Sequence, residues 1–85
     1  MSTPLGSLKN IGPATIRQLQ EVGIADADAL RSLGAVATYR RLKHAFPDQV
    51  TLTMAYALEG ALLDCHWNRL PPERREYIRS TLRGA

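Results

Sequence analysis

Apolar positions recur along the chain at spacings of three and four, and no segment sustains period-two alternation, so the pattern predicts helices throughout and no sheet. Pro13 to Val22 reads as the first full helix. Ile16 and Leu19 share one face, Pro13 suits a first turn, and Gly23 supplies the stop. Ile24 then leads back into the core, and Asp26 or Asp28 can cap a short second helix containing Leu30, which breaks at the Ser32-Leu33-Gly34 corner. A third helix, about Ala35 to Phe46, places Ala35, Tyr39, Leu42 and Phe46 on a predicted core stripe, with Arg40, Lys43 and His44 opposite and Pro47-Asp48 as its end.

Thr51 is the expected cap of the longest helix, which would run to about Cys65, or roughly 20 Å at 1.5 Å per residue. Its apolar residues, among them Leu52, Ala55, Tyr56, Leu58 and Leu62, surround much of the circumference, which predicts a central position. Gly60 inside so strong a helical pattern costs about 1 kcal/mol relative to Ala, and therefore predicts that another helix passes close by. Glu59 beside it is expected to be buried and paired with an Arg. Trp67 is expected to seal the core after this helix, and Pro71-Pro72-Glu73 starts a last helix to about Leu82, with Ile78 and Leu82 facing inward.

The resulting expectation is a single all-α domain of about five helices: hairpin-like units over residues 5–46, then a long central helix and a C-terminal helix over residues 51–83. Leu8-Lys9-Asn10-Ile11-Gly12 and Leu30-Arg31-Ser32-Leu33-Gly34 share a Leu-x-x-apolar-Gly pattern 22 residues apart, each followed by a predicted helix. That suggests one or two helix-hairpin-helix-like units, with Gly34 as a structural corner.

Composition narrows the function classes. With 85 residues there is room for one modest core and no large enclosed active site. No apolar run approaches the ~20 residues that cross a bilayer, and the start MSTPLGSLKN lacks a secretory apolar stretch, so a cytoplasmic protein without membrane contact is expected. The net charge of +3 is spread evenly, six Lys/Arg against four Asp/Glu in residues 1–50 and five against four in 51–85. Any grip on nucleic acid should then be weak and salt-sensitive, or depend on a partner.

The segment with a possible mechanism is Leu5 to Leu19, two predicted helical fragments joined by a tight hairpin. Asn10 tolerates a left-handed backbone, Gly12 carries no Cβ to obstruct a partner, and Pro13 presets the next helix. The N–H groups of Gly12, Ala14 and Thr15, with the Thr15 hydroxyl, could hold a phosphate flanked by Lys9 and Arg17. Alternatively, Gly12-Pro13 only turns the chain between packed helices. Arg40, Arg41 and Lys43, the densest basic cluster, could add phosphate contacts or form a solvated helix face. The five arginines from Arg69 to Arg83 are interleaved with Glu73 and Glu76 and read as charged surface.

The first segment resembles the helix-hairpin-helix module, which grips nucleic-acid backbones without reading bases. Leu5, Leu8, Ile11, Gly12 and Leu19 match its pattern; Asn10 replaces the first hairpin glycine, Ile16 a small Ala, and Gln20 an apolar residue. Ile16 should push the two helical arms apart or change their angle. Over nearly the whole chain, Leu8-Lys9-Asn10-Ile11-Gly12-Pro13, Val22-Gly23-Ile24, Leu33-Gly34-Ala35-Val36, Ala57-Leu58-Glu59-Gly60-Ala61-Leu62 and His66-Trp67 resemble the C-terminal domain of TfoX/Sxy proteins, bacterial regulators of natural competence. That resemblance implies a part in transcriptional control of DNA uptake. In that family the helical domain often follows an α/β N-terminal domain absent from these 85 residues, which implies a transcription regulator or a separate N-terminal-domain protein as partner. The alternative is a protein-interaction domain that docks a regulator or self-associates without touching DNA; the oligomeric state is left open.

Enzyme chemistry finds little footing. There are no paired carboxylates at an interpretable spacing, no nucleotide-binding glycine fingerprint and no triad. Cys65-His66 lacks a third orienting residue, and two histidines with one cysteine fall short of a zinc framework, so neither metal nor cofactor is expected.

Overall fold

Proline, glycine and one aspartate mark several of the helix boundaries. The computed structural model describes residues 3–83, which form α1 (Pro13–Glu21), α2 (Ala27–Leu33), α3 (Ala35–Ala45), α4 (Leu52–Leu63) and α5 (Pro72–Arg83). Two 3-10 turns, Leu5–Ser7 and Trp67–Arg69, complete a single all-α domain with no strand among the described residues. Pro13 occupies the first turn of α1, and past its end Gly23 takes φ 87° while the Ile24 N–H donates back to the Leu19 carbonyl at 2.9 Å. Asp26, not Asp28, caps α2 by accepting from the Ala29 N–H at 2.9 Å. Gly34, at φ 89°, serves as both the end of α2 and the start of α3, so the corner needs no linker.

The core is built from Leu19, Ile24, Leu30, Leu42, Leu58 and Ile78, each no more than 1% exposed and contributing about 2 kcal/mol by burial. On α3 the wholly buried positions are Ala35, Thr38 and Leu42, whereas Tyr39 and Phe46 lie half-buried at the edge of the stripe. The buried stripe takes Thr38, which reads as polar in sequence, in place of Tyr39. The central position belongs to α4, with Ala55, Ala57, Leu58, Glu59, Gly60 and Ala61 buried. It is no longer than α5, and it stops before Cys65 because Asp64 turns left-handed at φ 57° and the Cys65 N–H closes onto the Gly60 carbonyl at 2.9 Å. The Thr51 hydroxyl makes no cap bond there.

Glu59 is buried as expected, and its partner is Arg74 on α5, which brings both Nε and Nη2 to Oε2. Gly60 is indeed a point of close approach, but what approaches is not a helix. A Cβ there would lie 2.7 Å from Asn10 Nδ2 and 2.7 Å from the Cys65 carbonyl oxygen. Trp67, on the second 3-10 turn, is half-buried, and Leu70 is the buried residue of that connector.

The two arms of the N-terminal hairpin are unequal. The first is the three-residue turn Leu5–Ser7 rather than a helix, and Gly6 sits where a Cβ would touch Ile16 Cδ1 at 3.6 Å. The bulk of Ile16 is thus accommodated against a glycine instead of a second helical arm. The sequence repeat does not extend to conformation: Leu30–Leu33 is helical where Leu8–Ile11 is not, and Gly12 has φ −98° against 89° at Gly34.

Candidate nucleic-acid interface

Asn10 determines which parts of the hairpin face solvent. Its backbone adopts φ 68°, a region that Asn visits more readily than most residues. Its side chain turns inward. Nδ2 donates to the carbonyls of Ala57 (3.2 Å) and Cys65 (3.1 Å), and Oδ1 accepts from the Trp67 N–H (3.2 Å). One carboxamide therefore ties the hairpin to the end of α4 and to the second 3-10 turn, and Asn10 offers a ligand backbone only.

Beyond it the chain opens outward. Gly12 is the N-cap of α1 in extended conformation (φ −98°, ψ 179°), its carbonyl accepting from the Ile16 N–H at 2.9 Å, with no side-chain cap. Among the described residues nothing accepts from the N–H groups of Gly12, Ala14 or Thr15. Gly12, Pro13 and Ala14 are exposed and Thr15 is half-buried; Lys9 and Arg17 are exposed and in no ion pair among the described residues. The macrodipole places partial positive charge at this end, and the two cations add to it. Such a surface can hold an anion through backbone N–H groups without reading any base.

The basic cluster of α3 does not join it. Arg41 donates from Nη1 to the Val22 carbonyl at 3.2 Å, at the far end of α1, roughly 15 Å from Gly12 at 1.5 Å per residue. Lys43 Nζ donates to the Pro47 (2.8 Å) and Val50 (2.7 Å) carbonyls, fastening the end of α3 to the loop before α4. Arg40 reaches toward the Thr81 carbonyl on α5 at 3.4 Å. The structure thus gathers Lys9, Asn10, Gly12, Ala14, Thr15 and Arg17 at one end of α1 and sends Arg40, Arg41 and Lys43 elsewhere.

His66 Nδ1 lies 2.7 Å from Asn68 Oδ1 and 3.4 Å from the Asn68 backbone nitrogen, so the imidazole is engaged within the 3-10 turn. Among the described residues, no three His, Cys, Asp or Glu side chains converge as a metal site would require, and no helix is long and apolar enough to cross a membrane.

The chain is a small helical domain whose hairpin leaves the N-terminus of α1 without a side-chain cap. Residues 1–82 match the TfoX C-terminal domain, and the chain belongs to that family. Protein Sxy of Escherichia coli (strain K12) is 42% identical over 60 residues, covering 71% of this chain and 28% of Sxy. The chain therefore spans less than a third of that relative's length. A crystal structure of an uncharacterized protein from Listeria monocytogenes superposes with a TM-score of 0.85 at 26% identity, over 94% of this chain and 93% of that one.

Proposed function

We propose that this domain is an accessory regulatory module in bacterial competence control, acting in the cytoplasm, and that it contacts nucleic-acid backbone weakly through the N-terminus of α1. Membership of the TfoX C-terminal domain family supports the regulatory part. A transcription regulator would supply sequence selectivity.

The observation that carries the backbone contact is Gly12. Its φ of −98° is open to any residue, and a Cβ would meet nothing within 4 Å. The fold therefore demands a glycine at this position neither by conformation nor by space. A Ser or Asp would cap α1 better than Gly does. A bare N-cap beside exposed Lys9 and Arg17 leaves the N–H groups for an external anion.

Gly12→Asp separates folding from binding because the two effects have opposite signs. The carboxylate would cap α1 and interact favourably with its dipole, raising stability by about 0.5–1 kcal/mol. It would also occupy the anion position with like charge. Thermal melts should show Tm rising by a few degrees, and anisotropy with a labelled duplex at low salt should show affinity falling about fivefold or more. Unchanged affinity in the stabilised variant would remove the α1 N-terminus from the account.

A further inference from the structure

We propose that the seam between α3 and α5 is a docking surface for an acidic amphipathic helix of a partner protein. This surface is separate from the hairpin, and the inference does not depend on DNA contact there.

Three hollows lie along the seam, the first sharing lining residues with each of the other two. One of about 310 Å³ lies between Tyr39, Lys43 and Leu82; a second of about 440 Å³ shares Tyr39 and Leu82 and extends to Leu52 and Arg83; a third of about 400 Å³ shares Arg40 with the first and reaches Tyr77. Their floor is apolar and accessible: Leu52 is 37% and Tyr77 50% exposed, with Tyr39, Leu62 and Leu82 half-buried. Large apolar side chains left open along a seam mark association surfaces.

The rim decides the occupant. Among the described residues, five Arg or Lys side chains line the three hollows against one carboxylate, Glu59, which is buried and already paired with Arg74. Arg40, Lys43, Arg79 and Arg83 remain, a local balance of +4 where the whole chain carries +3. Glu76 stands 3.5 Å from Arg79 on the outer face of α5, an exposed pair that neutralises little. A second copy of this positively charged chain would set cation against cation. Nucleic-acid backbone would match the rim and waste the apolar floor. A helix with apolar residues at i, i+3 or i+4 and i+7, flanked by Asp and Glu, satisfies both. Helices α3 and α5, of 11 and 12 residues, limit the seam to at most roughly 17 Å, about three turns of such a helix.

The test uses the full chain and a displayed library of amphipathic helical peptides whose apolar positions are fixed and whose other positions are random. Selected peptides should carry net negative charge and shift amides of Tyr39, Arg40, Tyr77 and Leu82. Binding should weaken about tenfold with Arg40→Glu/Arg83→Glu and fall at higher salt. Leu52→Asp, which places an acid favourably in the first turn of α4, should preserve the fold and abolish binding. Lys9→Ala/Arg17→Ala should leave peptide binding unchanged. Neutral or basic selected peptides, no enrichment, shifts confined to another face, or duplex DNA shifting these same amides would overturn the proposal.

Discussion

Asn10→Ala is expected to destabilise the domain by about 2–4 kcal/mol, a large part of the 5–15 kcal/mol typical of a whole domain. The loss has two components. Ala cannot replace the bonds to the Ala57 and Cys65 carbonyls and the Trp67 N–H, each worth about 1 kcal/mol and more where a partner is left unsatisfied. Ala also carries the left-handed backbone at φ 68° at a cost of about 1 kcal/mol. Asn10→Gly removes the second component and keeps the first, so it should recover roughly 1 kcal/mol relative to Ala. Urea unfolding of the two variants measures both. A change below about 0.5 kcal/mol for Asn10→Ala, the range of ordinary surface substitutions, would mean that the carboxamide does not tie the hairpin down.

Arg74→Ala is expected to cost about 2–4 kcal/mol by a different route. The Glu59 side chain is 8% exposed, and without Arg74 its carboxylate would stay in an apolar setting with no counter-charge. Fully buried pairs lose about 3–5 kcal/mol when one partner goes; here the Arg74 side chain is 42% exposed, so water offsets part of that. The guanidinium also lies 4.8 Å from the centre of the Tyr77 ring, an exposed contact worth about 0.5–1 kcal/mol. Removing the charge as well, in Glu59→Gln/Arg74→Ala, should be milder than Arg74→Ala alone. Chemical denaturation that ranks the double variant as the less stable would show that the unpaired carboxylate is not the cause.

These two residues mark where sequence reading succeeds and where it stops. Local chemistry placed the helix boundaries: Pro13 in the first turn of α1, Asp26 capping α2, Gly34 at the corner and Pro72 opening α5 act through neighbours a few residues away. Glu59 was legible because a carboxylate in an apolar helix must find a cation, although nothing local singled out Arg74 among five C-terminal arginines. Asn10 was legible only as backbone. Its side-chain partners lie 47 to 57 residues along the chain, and a polar residue in a turn gives no sign that its amide is directed inward.

The first hairpin arm failed for a related reason. Leu5 and Leu8 have helical spacing, yet the approach of Ile16 to Gly6 is a tertiary contact, and the segment settles as a 3-10 turn. Sequence alone left Arg40, Arg41 and Lys43 open between added phosphate contacts and a solvated helix face. Long side chains on successive helical positions point in different directions, and these three reach carbonyls on α5, at the end of α1 and in the loop before α4.

The most direct test of backbone contact at the hairpin is a residue-resolved amide titration with duplex DNA at low and moderate salt, run on the wild-type chain and on Lys9→Ala/Arg17→Ala. Shifts should centre on residues 9–17 and weaken with salt along a log–log slope of about −2, as two phosphate-facing cations imply, and they should nearly vanish in the double variant. No shift in residues 9–17 at either salt concentration, or shifts that persist undiminished in the double variant, would contradict the account.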